Sequence, residues 1–204
     1  MQFDHLRTAT AYDRAALLRR GVLAVAAGAG FAAFPAVAAA DSIPDGDVAY
    51  LRLLLGAELL KGDFQTRALA AKKLDAAPRA VLRRIRGDDA AHYAALSALM
   101  NEAAQQPTTA ADIDFSYPAG TFASRSSIVK LAEQLGTIAL GAYLGALENV
   151  QTPQLRLPLA QIAANEAQQL SALASAVGRP AIGRPFASAL PIDVVSASLD
   201  RYES

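Results

Sequence analysis

Four stretches of this chain repeat apolar residues at helical spacing, and each carries an acidic residue on its apolar stripe: Glu58, Asp89, Glu133 and Glu166. Apolar residues at i, i+3, i+4 and i+7 share one face of an α-helix, the face that turns toward a core. A carboxylate there must be paired, protonated or bound to a cation, because an isolated charge is costly away from water. Four such positions confine the chain to folds that bring four helix stripes together around a polar centre. His92 follows Asp89 by three residues, so the two can reach the same point. Gln169 follows Glu166 at the same spacing.

The first helical stripe holds Leu51, Leu54, Leu55, Glu58 and Leu59 and continues through Phe64 toward Ala71. Asp45 or Asp47 can cap its start. Pro78 suits the first turn of a second helix, whose stripe reads Val81, Ile85, Asp89, His92, Leu96 and Leu99 before fading at Gln105-Gln106-Pro107. Roughly twenty residues without periodicity follow, a length uncommon inside a compact domain unless the segment crosses it. Phe115, Tyr117 and Phe122 predict that this segment packs on the helices.

A third helix is expected from Ser127 to Asn149, with Val129, Glu133, Gly136, Leu140, Tyr143 or Leu144, and Leu147 on its stripe. Pro153 and Pro158 bracket a short connector to a fourth, where Leu159, Ile162, Glu166, Gln169, Leu170 and Leu173 share a face. Gly178 and Pro180 end it, and a tail with Pro185 and Pro191 leads to a short helix from Ile192 to Tyr202. Short, long, short is the connection pattern of a ferritin-like four-helix bundle, all-α, with one crossover between helices 2 and 3.

The first forty residues read as an address. Arg19-Arg20 precedes an apolar run from Gly21 to Phe34, too short to span a bilayer comfortably, and Ala38-Ala39-Ala40 precedes Asp41. Ala36-Val37-Ala38 offers a cut two residues earlier. The pattern resembles a twin-arginine export signal, and shares parts with an ordinary secretory signal or an uncleaved anchor. The expected organisation is a signal at 1–40 and a ferritin-like domain at 41–204, exported to the periplasm or beyond by the twin-arginine machinery. No stable membrane span is expected after cleavage.

The first forty residues hold four of the 19 basic and two of the 19 acidic residues, so the remainder carries 15 and 17, a formal charge of −2. That balance excludes a nucleic-acid footprint. Cysteine is absent, which excludes thiol catalysis, thiolate metal sites and disulfides. Of the two histidines, His5 lies in the signal, leaving His92 alone in the mature chain. No nucleophile motif accompanies His92, and Arg79, Arg83, Arg84 and Arg86 read as a solvated face. No organic cofactor is indicated.

A di-metal carboxylate site uses one Glu from each of two helices and Glu-x-x-His from the other two. Glu58 and Glu133 match the lone positions. Asp89 and His92 match one pair with Asp for Glu, and Glu166 and Gln169 match the other with Gln for His. Asp reaches about 1.5 Å less than Glu, and a Gln carbonyl is a poor substitute for imidazole on iron or manganese. Three outcomes stay open on ligand chemistry: a weakened di-metal site of iron or manganese, a single ion, or no metal with some carboxylates protonated. Asp88 is an alternative to Asp89 as the inward group, and Tyr143 reads as core or as a redox neighbour.

Phe115-Ser116-Tyr117-Pro118, Glu133-Gln134-Leu135-Gly136, Ala142-Tyr143-Leu144-Gly145-Ala146, Asn165-Glu166-Ala167 and Pro191-Ile192-Asp193 together are similar to one family. The chain resembles the exported bacterial ferritin-like domain proteins related to plant desiccation-related proteins, from about Asp47 to Leu199. The resemblance implies a ferritin-like bundle and little about activity, and Gln169 departs from the histidine it leads one to expect. Two functions are expected to compete. One is an envelope protein with a partial iron or manganese site linked to oxidative or desiccation stress. The other is a non-catalytic structural or interaction protein with a degenerate site, its protein partners unspecified.

Overall fold

In the computed structural model, which describes residues 43–204, four long helices and one short one account for the regular structure. They are α1 (Asp45–Ala70), α2 (Ala76–Glu102), α3 (Arg125–Asn149), α4 (Pro153–Ala176) and α5 (Ile192–Leu199), followed by a 3₁₀ turn at Asp200–Tyr202. No strand occurs among the described residues; one isolated bridge joins Phe115 to Glu203. Among these residues no helix is long and apolar enough to cross a membrane. The expected signal at 1–40 lies outside the described residues.

The fold is the all-α four-helix bundle with a short C-terminal helix. α1 packs on α2 and α3, and α4 packs on the same two. Asp47 at the start of α1 lies against Gln151 and Thr152 at the end of α3, so α1 and α3 run antiparallel. Asp75 before α2 meets Arg125 at the start of α3, so α2 and α3 run parallel. The segment between α2 and α3 therefore spans the bundle length. Its Tyr117 and Phe122 stack with Phe64, Tyr117 donates to Asp63, and the guanidinium of Arg67 sits over the Tyr117 ring. The last residues pin it, through Ser116 N to Tyr202 O at 2.7 Å and Ser204 N to Asp114 O at 3.1 Å.

The buried series on α1 is Asp47, Leu51, Leu54, Glu58, Lys61, Gln65 and Ala68, a strict alternation of three and four residues. α2 follows with Leu82, Ile85, Asp89, His92, Leu96 and Leu99, and α4 with Leu155, Leu159, Ile162, Glu166, Gln169 and Leu173. Apolar layers above and below enclose one polar layer. Each fully buried Leu in those layers contributes roughly 1.5–3 kcal/mol, which offsets the cost of the polar middle.

Three local expectations are corrected. Neither Asp45 nor Asp47 caps α1 with its side chain; buried Asp47 instead accepts from Gln151 N and Thr152 N at 2.9 and 2.7 Å, holding the α3–α4 connector. α4 begins at Pro153, so Pro158 lies inside it. Its missing N–H forfeits the bond to the Gln154 carbonyl, which sits at an exposed position where water can serve instead. The third is the inward face of α3. Ile128, Leu131, Leu135, Ala139, Ala142 and Ala146 are its core-facing series, one residue upstream of the expected stripe and so turned by about 100°.

The other face of α3 receives the tail. Leu190 N donates to Gly141 O at 2.9 Å, and a Cβ at Gly145 would fall 2.0 Å from Leu190 O. Only glycine permits this approach. α3 is thus buried on two sides, which its sequence alone does not reveal.

Candidate metal centre

Glu58, Asp89, His92 and Glu166 converge from α1, α2 and α4, each offering a ligand atom within 4.8 Å of the others. All four are buried, Glu166 completely. They form a Glu/Asp/His group that could hold a metal ion. The α-helical spacing accounts for the convergence: each sits at the middle of its inward series, at the same height in the bundle. Gln169 is also brought to this layer, one turn beyond Glu166.

A fifth charged residue occupies the centre. Lys61, 4% exposed, points its ammonium at all three carboxylates, with Nζ 2.5 Å from Glu166 Oε1, 3.0 Å from Asp89 Oδ1 and 3.5 Å from Glu58 Oε2. Burial opposes its charge, but Glu58, Glu166 and Asp89 outweigh it and raise the lysine pKa. His92 Nδ1 lies 3.2 Å from Glu166 Oε1 and 3.5 Å from Glu58 Oε1, close charge contacts without directed hydrogen-bond geometry. Burial lowers the imidazole pKa, yet Glu166 and Glu58 prevail and bring it up to about 9. Two cations thus face three carboxylates at neutral pH. Burial pushes the Asp89 pKa up despite Lys61 beside it.

Neutral donors complete the layer. Gln65 Nε2 donates to Asp89 Oδ2 at 2.6 Å, and Gln169 Nε2 donates to Asp89 Oδ1 at 2.9 Å. With Lys61, Asp89 accepts three hydrogen bonds and its Oδ1 accepts two. Tyr143 OH donates to Glu58 Oε1 at 2.6 Å, and burial together with that carboxylate pushes the phenol well above its ordinary pKa. Glu58 Oε2, Glu166 Oε2 and His92 Nδ1 have no hydrogen-bond partner.

Glu133 does not join the cluster. It shares the outer face of α3 with Thr137 and Leu140, lines a groove against α4 and pairs with Arg179. The reason is the turned inward face of α3, which presents Leu135, Ala139 and Ala142 to the core where a carboxylate was expected. Gln169 is corrected too: it turns its amide nitrogen to Asp89 and to Asn165 Oδ1, acting as a donor rather than as an oxygen ligand. Asp89, not Asp88, is the inward group; Asp88 pairs with Arg84 near the surface. Tyr143 is both core and a partner of the cluster.

The donor set fits a pair of ions poorly, since a second imidazole and an α3 carboxylate are both lacking. One ion fits only if Lys61 withdraws. Two unit charges 4 Å apart repel by roughly 4 kcal/mol at a surface-like dielectric, so a divalent ion beside the ammonium faces about 8 kcal/mol. A micromolar site supplies only about that much binding energy. Lys61 and Gln65 were not singled out from sequence, although they continue the three-four series through Glu58. That unbroken series was the available signal.

Among curated proteins, no relative matches the chain. The family description "Ferritin-like domain" matches residues 46–179, from the first turn of α1 to just past α4. With the bundle, its crossover and the acidic layer at mid-height, the chain belongs to the ferritin-like domain family.

Proposed function

We propose that this is an exported ferritin-like protein of the cell envelope in which an internal lysine has taken the place of a metal as the cation of the polar layer. The protein then serves a non-catalytic structural or protective role, linked to drying or oxidative stress. One observation carries this reading: Lys61 Nζ within 3.5 Å of Glu58, Asp89 and Glu166. An ammonium so placed neutralises the carboxylates without redox chemistry. Export is supported by Arg19-Arg20, the apolar run and the Ala38-Ala39-Ala40 site.

A second reading has its own support. Glu58 Oε2 and Glu166 Oε2, which lack a hydrogen-bond donor, and His92 Nδ1 once its proton has left are the atoms a single iron or manganese ion would bind, in a site that exchanges the ion with Lys61. When bound, such an ion would supply oxidation chemistry toward oxygen or peroxide. Glu166 and His92 would hold it, and Tyr143 would keep Glu58 oriented. Metal content per chain after Fe(II) or Mn(II) loading decides between the two. The first reading expects none. Stoichiometric metal that disappears in Glu166→Ala establishes the second.

A further inference from the structure

We propose that Lys61 locks a latent site for one divalent cation, so that removing this single side chain turns the polar layer into a metal-binding centre. The inference rests on the reading that Lys61 stands in for a metal.

The argument begins with position. Lys61 Nζ occupies the point shared by Glu58, Asp89 and Glu166, at 3.5, 3.0 and 2.5 Å. A divalent ion with carboxylate ligands would sit at that same point, at roughly 2.0–2.6 Å from its oxygens. Ammonium and metal therefore exclude each other. Acceptor atoms are left over: Glu58 Oε2 and Glu166 Oε2 are buried without a hydrogen-bond donor, and Lys61 hydrogen-bonds only Asp89 and Glu166. An ammonium supplies at most three directed N–H donors, whereas a divalent ion draws oxygens from all sides. The layer thus retains more acceptor capacity than its lysine consumes.

Lys61 has little room to retreat. The gap beside its stem is about 20 Å³ and is walled mainly by Phe64, Leu82, Ile85, Leu135 and Leu173. Moving the charge there would exchange three carboxylates for apolar walls. The lock is accordingly held shut by burial, and the side chain must be removed to open it. Entry would follow the groove between α1 and α2, about 790 Å³, floored by Glu58 and Asp89 and flanked by Gly62, Gly87, Arg86 and Tyr93.

The test compares the full chain with Lys61→Ala and Lys61→Met by Co(II) titration, read from its visible ligand-field absorption and from the thermal midpoint. Lys61→Met keeps the stem volume and removes only the charge, so it serves if the alanine variant fails to fold. The expected result is one Co(II) per chain in the variants and none in the parent at the same concentration, since repulsion by the ammonium weakens binding by far more than ~100-fold. Their melting points should be lowered without metal and restored by Co(II), and Glu166→Gln added to Lys61→Ala should abolish both effects. Absence of Co(II) from parent and variants alike overturns the lock while leaving the metal-free reading intact. Equal tight binding by all of them overturns both. Measurable binding by the parent, strengthened in the variants, overturns the metal-free reading and supports the lock.

Discussion

α1 and α3 occupy equivalent places in the bundle, each packed between neighbours and running antiparallel to the other, yet they contribute to the polar layer in opposite ways. α1 places Glu58, Lys61 and Gln65 in succession on its inward stripe and packs Phe64 against the crossover. α3 turns in Leu135, Ala139 and Ala142, and gives its opposite side to the tail through Gly141 and Gly145. Its contribution to the polar layer is the phenol of Tyr143. The layer is therefore lopsided: three helices bring charge, and the fourth closes it with a neutral donor. A symmetrical dinuclear site needs a carboxylate from each of the two lone-Glu helices. The departure of α3, more than the Gln169 substitution, removes it.

The comparison can be broken first on the α1 side. Replacing Lys61 by Ala leaves three buried carboxylates short of a cation, and removing one partner of such a cluster costs about 3–5 kcal/mol. Chemical denaturation should show that loss; a change below about 1 kcal/mol would mean the carboxylates find other compensation.

The second test uses pH. The His92 pKa rises from 6.5 in the unfolded chain to about 9 in the bundle. A raised pKa gives stability that is complete below 6.5 and is lost as pH climbs through about 9. The shift corresponds to something on the order of 3 kcal/mol, and Lys61 does not titrate in this window because its pKa is raised further. Denaturation midpoints should fall between pH 6.5 and 9 in the parent and stay flat in His92→Gln. An equal slope in both proteins would remove His92 from the account.

On the α3 side the effects are smaller. Gly145→Ala drives a Cβ against the Leu190 backbone, so the tail must shift, at about 1–3 kcal/mol. Hydrogen exchange should quicken in α5 and at Leu190 while the middle of α1 keeps its protection. Tyr143→Phe strips Glu58 Oε1 of its donor, a loss of about 1–3 kcal/mol. Glu133→Ala breaks a partly exposed pair with Arg179 and should change stability by less than about 1 kcal/mol. A loss comparable to that of Lys61→Ala would place Glu133 in the core after all.

The same contrast accounts for what could be read from sequence. The inward stripes of α1, α2 and α4 keep a three-four spacing, so Glu58, Asp89, His92 and Glu166 could be placed on them. The crossover could be read from the length of an aperiodic segment and its aromatics. α3 buries two faces and is apolar nearly all round, which leaves two stripes about 100° apart without a local reason to choose. The docked tail makes the choice, and nothing near Glu133 encodes it. Lys61 was overlooked for a different reason. A lysine is almost never fully buried unless paired, so residue type alone argues against the inward place that the series gives it.

Anomalous diffraction from crystals of the protein grown with Mn(II) tests the central claim most directly, because it locates any metal and the lysine together. The account predicts no anomalous peak between Glu58, Asp89 and Glu166, with Lys61 Nζ within hydrogen-bonding distance of Asp89 and Glu166. A fully occupied metal peak at that point, with Lys61 turned away from it, would contradict the account.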